Sequence, residues 1–266
     1  MCSELIIGGN SQLGIGLASH FDASGIDYIK TTRNRINDRR DIFLELSEFE
    51  GNFALPDSIK TAYLLAGISD TRYCEANQKN TRQINVTKTL ELIRFLDSHS
   101  VHTVFVSSAS VFDGGKRTYH VDEIKQPRNF YGECKSEVED VILKESLNAS
   151  ILRVGKIIGE LPIIEKWKSQ IHNGERPKVY SNRYISPLAI EGLIKNLSKL
   201  GERAVGGVNQ ISACDEISYL ELFERLFPGQ ARILMSDGTL HELLEPSGLF
   251  VDFSPPPSWA AMNHFM

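Results

Sequence analysis

The chain has 266 residues, 41% hydrophobic and 24% charged, enough for one full core with or without a smaller lobe. A net charge of −5 and a sequence pI near 5.8 leave no basic surplus for nucleic acid or acidic membranes, so a small-molecule partner is expected. No apolar stretch approaches the roughly 20 residues that span a bilayer, and Met1 runs into an apolar strand without a signal region, so a cytoplasmic protein is expected.

Leu5–Ile7 reads as a first buried strand, and the loop Gly8-Gly9-Asn10-Ser11-Gln12-Leu13-Gly14 leads into a helix from Gln12 to Phe21. Tyr28–Thr31, Ala62–Ala66, Thr103–Val106 and Ser150–Val154 read as further short buried strands. Between them, Ile84 to Leu96 and Tyr131 to Leu147 place apolar residues at helical intervals. This alternation predicts an α/β fold, a Rossmann-type doubly wound parallel sheet. After Val154 the pattern loosens around Asn173-Gly174, Gly206-Gly207 and Pro255-Pro256-Pro257, with a helix expected over Ser186 to Leu200 and a strand over Gly207 to Ser212. The expected division is a core over 1–155 to which 186–212 returns, and a smaller C-terminal substrate lobe over 156–185 and 213–266. The final segment with Trp259 reads as a tail packed on the body or on another subunit.

The loop after the first strand is the first chemical feature. A helix beginning there presents backbone amides and the positive end of its dipole to a pyrophosphate, and glycine permits the turn and close approach. Ser11 stands where the middle glycine of such a loop is usual, and offers its own hydroxyl to phosphate. Arg33, with Arg35, Arg39 and Arg40 behind it, follows the second strand, where an acidic residue would bind ribose hydroxyls and an arginine accommodates a 2′-phosphate. NADP is therefore expected over NAD. Tyr131 and Lys135 stand four apart, one face of a helix, so an ammonium beneath the phenol favours its ionised form and proton exchange near neutral pH. The four cysteines read as free thiols, and the seven histidines lack the spacing of metal ligands, so no metal is expected. No nucleophile elbow supports hydrolysis.

Taken in order, Gly8–Gly14, Ala66-Gly67, Asn85-Val86, Ser107-Ser108-Ala109-Ser110-Val111-Phe112-Asp113-Gly114, Tyr131-Gly132-Glu133-Cys134-Lys135 and Arg153-Val154-Gly155 resemble the extended short-chain dehydrogenase/reductase family. The resemblance covers about residues 5–212 and points to the dTDP-4-dehydrorhamnose reductase-like and nucleotide-sugar epimerase branches. It implies that Tyr131 exchanges the proton at the substrate oxygen, Lys135 holds the nicotinamide ribose and lowers the phenol pKa, and Ser108 hydrogen-bonds the carbonyl. It also implies a cofactor surrounded by Gly8, Asn10, Ser11, Gln12, Leu13, Gly14, Arg33, Ala66, Gly67, Asn85, Ser107 and Val154, with Glu45-Leu46 beside the adenine. Ala109 and Ser110 would meet the substrate, and Arg183, ahead of Tyr184-Ile185, would approach its diphosphate. Trp167 and Tyr180 read as core aromatics.

Dehydratases of this family carry an Asp-Glu pair where this chain has Ala109-Ser110, so dehydration is disfavoured. The leading expectation is an NADP-dependent, or NAD-dependent, reductase of a keto group on a nucleotide-activated sugar. A nucleotide-sugar epimerase and a non-catalytic NAD(P)-binding regulatory subunit are the alternatives. The resemblance further suggests a homodimer built from the helices at Ile84–Leu96 and Tyr131–Leu147.

Overall fold

The structure is a computed structural model that describes residues 3–34, 36, 38–158, 162–235, 239–241 and 243–244. Seven parallel strands form its sheet: β1 (Glu4–Ile7), β2 (Tyr28–Thr32), β3 (Asp41–Phe43), β4 (Thr61–Leu64), β5 (His102–Ser108), β6 (Ala149–Val154) and β7 (Gly207–Ile211). Their spatial order is β7-β6-β5-β4-β1-β2-β3. The chain therefore winds outward one way from β1 and the other way from β4, the expected doubly wound arrangement. The reversal opens a crevice at the carboxyl ends of β1 and β4.

Alternation along the strands divides the core. Leu5, Ile7, Ala62, Leu64, Phe105 and Ile151 face one layer, which holds α2 (Thr71–Ala76), α3 (Gln78–Arg82), α4 (Thr89–Ser98) and α5 (Phe130–Lys144). Ile6, Tyr63, Val104 and Leu152 face the other, against α1 (Gln12–Ser24) and α7 (Ile190–Arg203). Gly16 of α1 sits where the two helices meet: a Cβ on it would fall 2.3 Å from Ile194 Cδ1, so the backbone of α1 packs directly on a side chain of α7. A second apolar cluster, outside the sheet, gathers Ile164 and Trp167 of α6 (Pro162–His172), Val179, Ile185, Ile217, and Leu222 and Phe223 of α8 (Tyr219–Leu226).

Three elements differ from the sequence expectation. Asp41–Phe43 adds a strand at the sheet edge; its three residues, none of them fully buried, follow an arginine-rich run and carry no apolar alternation. The helix expected from Ser186 begins at Ile190 instead. Pro187 biases Ser186 towards extended backbone, and Leu188–Ala189 pair in parallel with Ile157–Ile158. The helix expected from Ile84 is one part of a longer path in which Gln83–Lys88 form a π-helical turn before α4. Thr89 Oγ1 donates to Ile84 O at 3.0 Å, five residues back, matching the wider register. The Pro255–Pro257 tail, Trp259 and Arg35 lie outside the described residues.

Candidate active site

The loop after β1 is held by three hydrogen bonds to one strand end. Gly8 N donates to Thr31 Oγ1 and Gly9 N to Thr31 O, while Asn10 Nδ2 donates to Thr32 Oγ1 at 2.8 Å, so the end of β2 braces the turn. Gly8 takes φ +92°, and a Cβ there would meet Ala66 N at 2.8 Å; a Cβ on Gly14 would meet Gly8 O at 2.4 Å. Neither position has room for a side chain. Ser11 caps α1: its Oγ accepts from Gly14 N at 3.0 Å and donates to Gly8 O at 2.8 Å. The serine that replaces the usual glycine thus spends its hydroxyl hydrogen inside the turn rather than offering it outward. The amides of Gln12 and Leu13 occupy the open first turn, where no intrahelical acceptor exists. A glycine-walled helix start at the crevice of a doubly wound sheet can hold a pyrophosphate.

Across the crevice, Gly67 (φ +151°) follows Ala66, and Asn85 in the π turn binds both main-chain polar groups of the next residue, Ile68. Asn85 Oδ1 accepts from Ile68 N and its Nδ2 donates to Ile68 O, both at 2.8 Å. At the far end of β2, Arg33 is largely exposed, with its guanidinium 3.8 Å from Glu45. Glu45 Oε1 also accepts from Ser47 N, and Leu46 beside it is buried.

Ser108 ends β5 and caps the short turn Ala109–Val111, its Oγ accepting from Ser110 N and donating to Ser110 Oγ. The start of α5 lies directly on this turn. A Cβ on Gly132 would fall 2.1 Å from Ser110 O, so the glycine lets the Tyr131 turn reach the serines. Asn129 caps α5 by accepting from Gly132 N, and Phe130 N donates to Glu75. One turn further along, Lys135 Nζ donates to Val106 O at 2.8 Å and lies 5.8 Å from the centroid of the Tyr131 ring. Burial brings the Lys135 ammonium down to about 8, against the opposing pull of Glu139. Ser108, Ala109, Ser110, Tyr131 and Lys135 are therefore gathered where β5 meets α5. This arrangement can polarise a carbonyl and exchange a proton with its oxygen.

Arg183 is carried elsewhere, just ahead of the strand pair Tyr184–Ile185 with Ile217–Ser218. Its guanidinium lies 4.3 Å over the Tyr180 ring, and its buried Nε has no hydrogen-bond partner among the described residues. Pro187 and Leu188 are buried; Leu188 packs in the layer that holds α1 and α7. Trp167 is 2% exposed and belongs to the second cluster.

Several supports of the site leave no mark in the sequence. Thr31 and Thr32 hold the loop, and Ser107 donates to the buried carboxylate of Glu139 at 2.5 Å. Glu216, 6% exposed at its side chain, accepts from Arg117 Nε at 3.0 Å and pairs with His241 Nδ1 at 2.8 Å, joining the 113–119 loop to the chain near Leu240. The four-residue step from Lys135 to Glu139 was visible; the distant partners were not. Cys74 and Cys134 are buried free thiols and Cys214 is an exposed one. Among the described residues no group of His, Cys, Asp or Glu is arranged to hold a metal ion. No described helix is long and apolar enough to cross a membrane.

Known proteins resemble this geometry over most of its length. The family model described as the RmlD substrate binding domain matches residues 3–209. A dTDP-4-dehydrorhamnose reductase from Bacillus anthracis str. Ames, solved in complex with NADP, superposes with a TM-score of 0.82 at 16% identity, covering 100% of this chain and 98% of that one. A UDP-N-acetylglucosamine 4-epimerase from Methanobrevibacter ruminantium M1, in complex with UDP-N-acetylmuramic acid, gives 0.77 at 18% identity over 96% of this chain and 93% of that one. At such identities these likenesses speak to the fold. Among curated proteins, methionine adenosyltransferase 2 subunit beta from Bos taurus is 32% identical over 84 residues, 32% of this chain. The match spans only a quarter of that relative's length, 25%.

Proposed function

Because the chain belongs to the RmlD substrate binding domain family, we propose that it is an NADP-dependent reductase of a keto group on a nucleotide-activated sugar. The observation that carries this reading is the packing of the Tyr131 turn onto the Ser108–Ser110 turn, with Lys135 one turn behind, beside a glycine-walled helix start. The wall fits a dinucleotide: the loops after β1 and β4 face each other across the crevice, and Gly8 and Gly14 leave their positions bare of side chains.

Gln12 and Leu13 amides would hold the pyrophosphate, Ala66 and Gly67 would line the central portion through their backbones, and Arg33 would meet the 2′-phosphate. A bound reduced nicotinamide supplies the hydride for the carbonyl carbon. Ser108 Oγ polarises the carbonyl oxygen by turning its hydrogen from Ser110 Oγ to that oxygen, and Tyr131 delivers the proton to it. Lys135 holds positive charge beneath the phenol, which favours its ionised form and eases the transfer. Ala109 and Ser110 border the sugar, and Arg183, whose Nε lacks a protein partner among the described residues, reaches its diphosphate. The cluster around Trp167 serves as the substrate lobe. A homodimer through α4 and α5 belongs to the same reading.

Fluorescence titration with NADPH and NADH, followed by oxidation of NADPH against a panel of 4-keto nucleotide sugars, tests it. Saturable NADPH binding with turnover is the expected result; absence of binding removes the dinucleotide reading. The curated matches favour one other reading, a non-catalytic regulatory subunit. NADP(H) binding with no turnover on the panel, together with co-purification of an unrelated enzyme, would select it.

A further inference from the structure

Glu139 is fully buried, one helical turn beyond Lys135 and two beyond Tyr131, and so lies on the same stripe of α5. Its carboxylate is met by three partners from three other segments. Ser107 Oγ, at the end of β5, donates at 2.5 Å. Arg153, on β6, donates from Nη2 at 2.8 Å and from Nε at 3.2 Å. Lys125 Nζ, in the loop before α5, lies 3.3 Å away and also donates to Ser136 O and Asp140. Ser107 and Arg153 are directly opposite each other in the parallel β5–β6 register, so α5 sets one carboxylate over a strand pair. Arg153 reaches further: its Nη1 donates to Val121 O, and its guanidinium stands 5.1 Å over the Phe112 ring.

A carboxylate without water around it is costly unless fully paired, and this one is placed next to the proposed reaction centre rather than in the second apolar cluster. The groups facing Lys135 are Glu139, Tyr131 and Cys134 on its own helix, Cys74 on α2, and the Phe105 ring and Val106 carbonyl on β5. Among these, Glu139 is the carboxyl group, and it is paired with the cations of Arg153 and Lys125. Ser107 and Ser108 are consecutive, so the bond that fixes Ser107 also fixes the strand end from which Ser108 projects.

We propose that Glu139 is a positioning residue: it locks α5 onto the ends of β5 and β6 through Ser107 and Arg153, and supplies the buried negative charge against which Lys135 is kept as an ammonium. The role in turnover rests on the reductase reading; the electrostatic role does not. The balance at Lys135 runs in the same sense, since burial draws its titration down to about 8 and Glu139 opposes that.

The test uses the full chain labelled with carbon-13 lysine, following the Lys135 resonance with pH by NMR, assigned by Lys135→Arg. Glu139→Gln keeps an oxygen that accepts from Ser107 and removes the charge. Glu139→Gln combined with Arg153→Met removes both buried charges, so that no orphan cation remains. The Lys135 midpoint is expected to fall by about one pH unit in Glu139→Gln, and by less in the double variant, which also removes the Arg153 cation. Thermal stability is expected to fall in the single variant and recover in the double. An unmoved midpoint with altered stability would overturn the proposal and leave Glu139 a packing residue; should the single variant fail to fold, the double variant is read in the same sense, a smaller fall supporting the proposal and an unmoved midpoint overturning it. On any substrate the panel identifies, the basic limb of kcat/KM follows the Lys135 midpoint downward. A shifted midpoint in a chain without turnover supports the Glu139 assignment while removing the reductase reading, so the two fail separately.

Discussion

A methyl group at position 132 has nowhere to go, because its place lies 2.1 Å from a backbone oxygen that cannot rotate aside. Gly132→Ala is expected to push α5 off the Ser108–Ser110 turn and cost about a hundredfold in kcat, as a displacement near 1 Å does, with NADPH binding largely retained; steady-state kinetics beside fluorescence titration checks it. Tyr131→Phe removes the proposed acid without disturbing the loop after β1, and a loss of roughly a hundredfold or more in turnover with unchanged NADPH binding is expected. Undiminished turnover would reject the phenol as acid. Arg33, exposed and only loosely paired with Glu45 at 3.8 Å, is free to turn to a phosphate. Arg33→Ala is expected to weaken NADPH more than NADH, and equal losses would remove it from a 2′-phosphate site. These residues were legible as sequence because each belongs to a short run: a loop after a strand, a pair four apart, a basic residue at a strand end. Ser11 shows the limit of such runs, since its identity gave no sign that Gly8 O would take its hydrogen.

At the scale of elements, α1 depends on its cap. Ser11→Ala removes the acceptor of Gly14 N and is expected to cost about 1 kcal/mol, measured by urea unfolding. The π turn at Gln83–Lys88 turns Asn85 inward to clasp both main-chain polar groups of Ile68. The apolar stripe from Ile84 onward announced a helix but not this turn, because one extra residue in a helical path barely disturbs the spacing of large side chains. Asp41–Phe43 escaped for a different reason: its pairing with β2 uses main-chain groups, which leave no trace in side-chain pattern. The Pro187 bend was present in the sequence as a warning against a helix at Ser186, and the buried pairing of Leu188–Ala189 is what that proline permits.

Across the whole molecule, the two layers of the sheet and the cluster around Trp167 are separate apolar bodies on one chain. Trp167→Ala is expected to cost about 3–5 kcal/mol, read as a fall in thermal midpoint. Stability also follows pH through Lys135. Its folded titration lies near 8, below the value of an exposed lysine, so between these the unfolded chain binds more protons and stability rises with pH. Lys135→Met is expected to flatten that rise in a pH series of melting curves. Alternation of strands and helices was enough to read the architecture, since buried parallel strands are nearly continuous apolar runs. The supports of the site were not readable, because Ser107 meets Glu139 and Arg117 meets Glu216 across long stretches of chain that only folding closes.

One consequence of the parallel sheet concerns how the protein can be handled. Every proposed catalytic and cofactor group stands at or beyond the carboxyl ends of the strands, so the turns entering the strands carry none of them. Two of those turns, at Ser100 and Ser146, are exposed and already adopt positive φ, 58° and 52°. They are the places to insert a reporter or to cut and rejoin the chain as a circular permutant, with glycine there relieving the strained backbone while the opposite rim is left undisturbed.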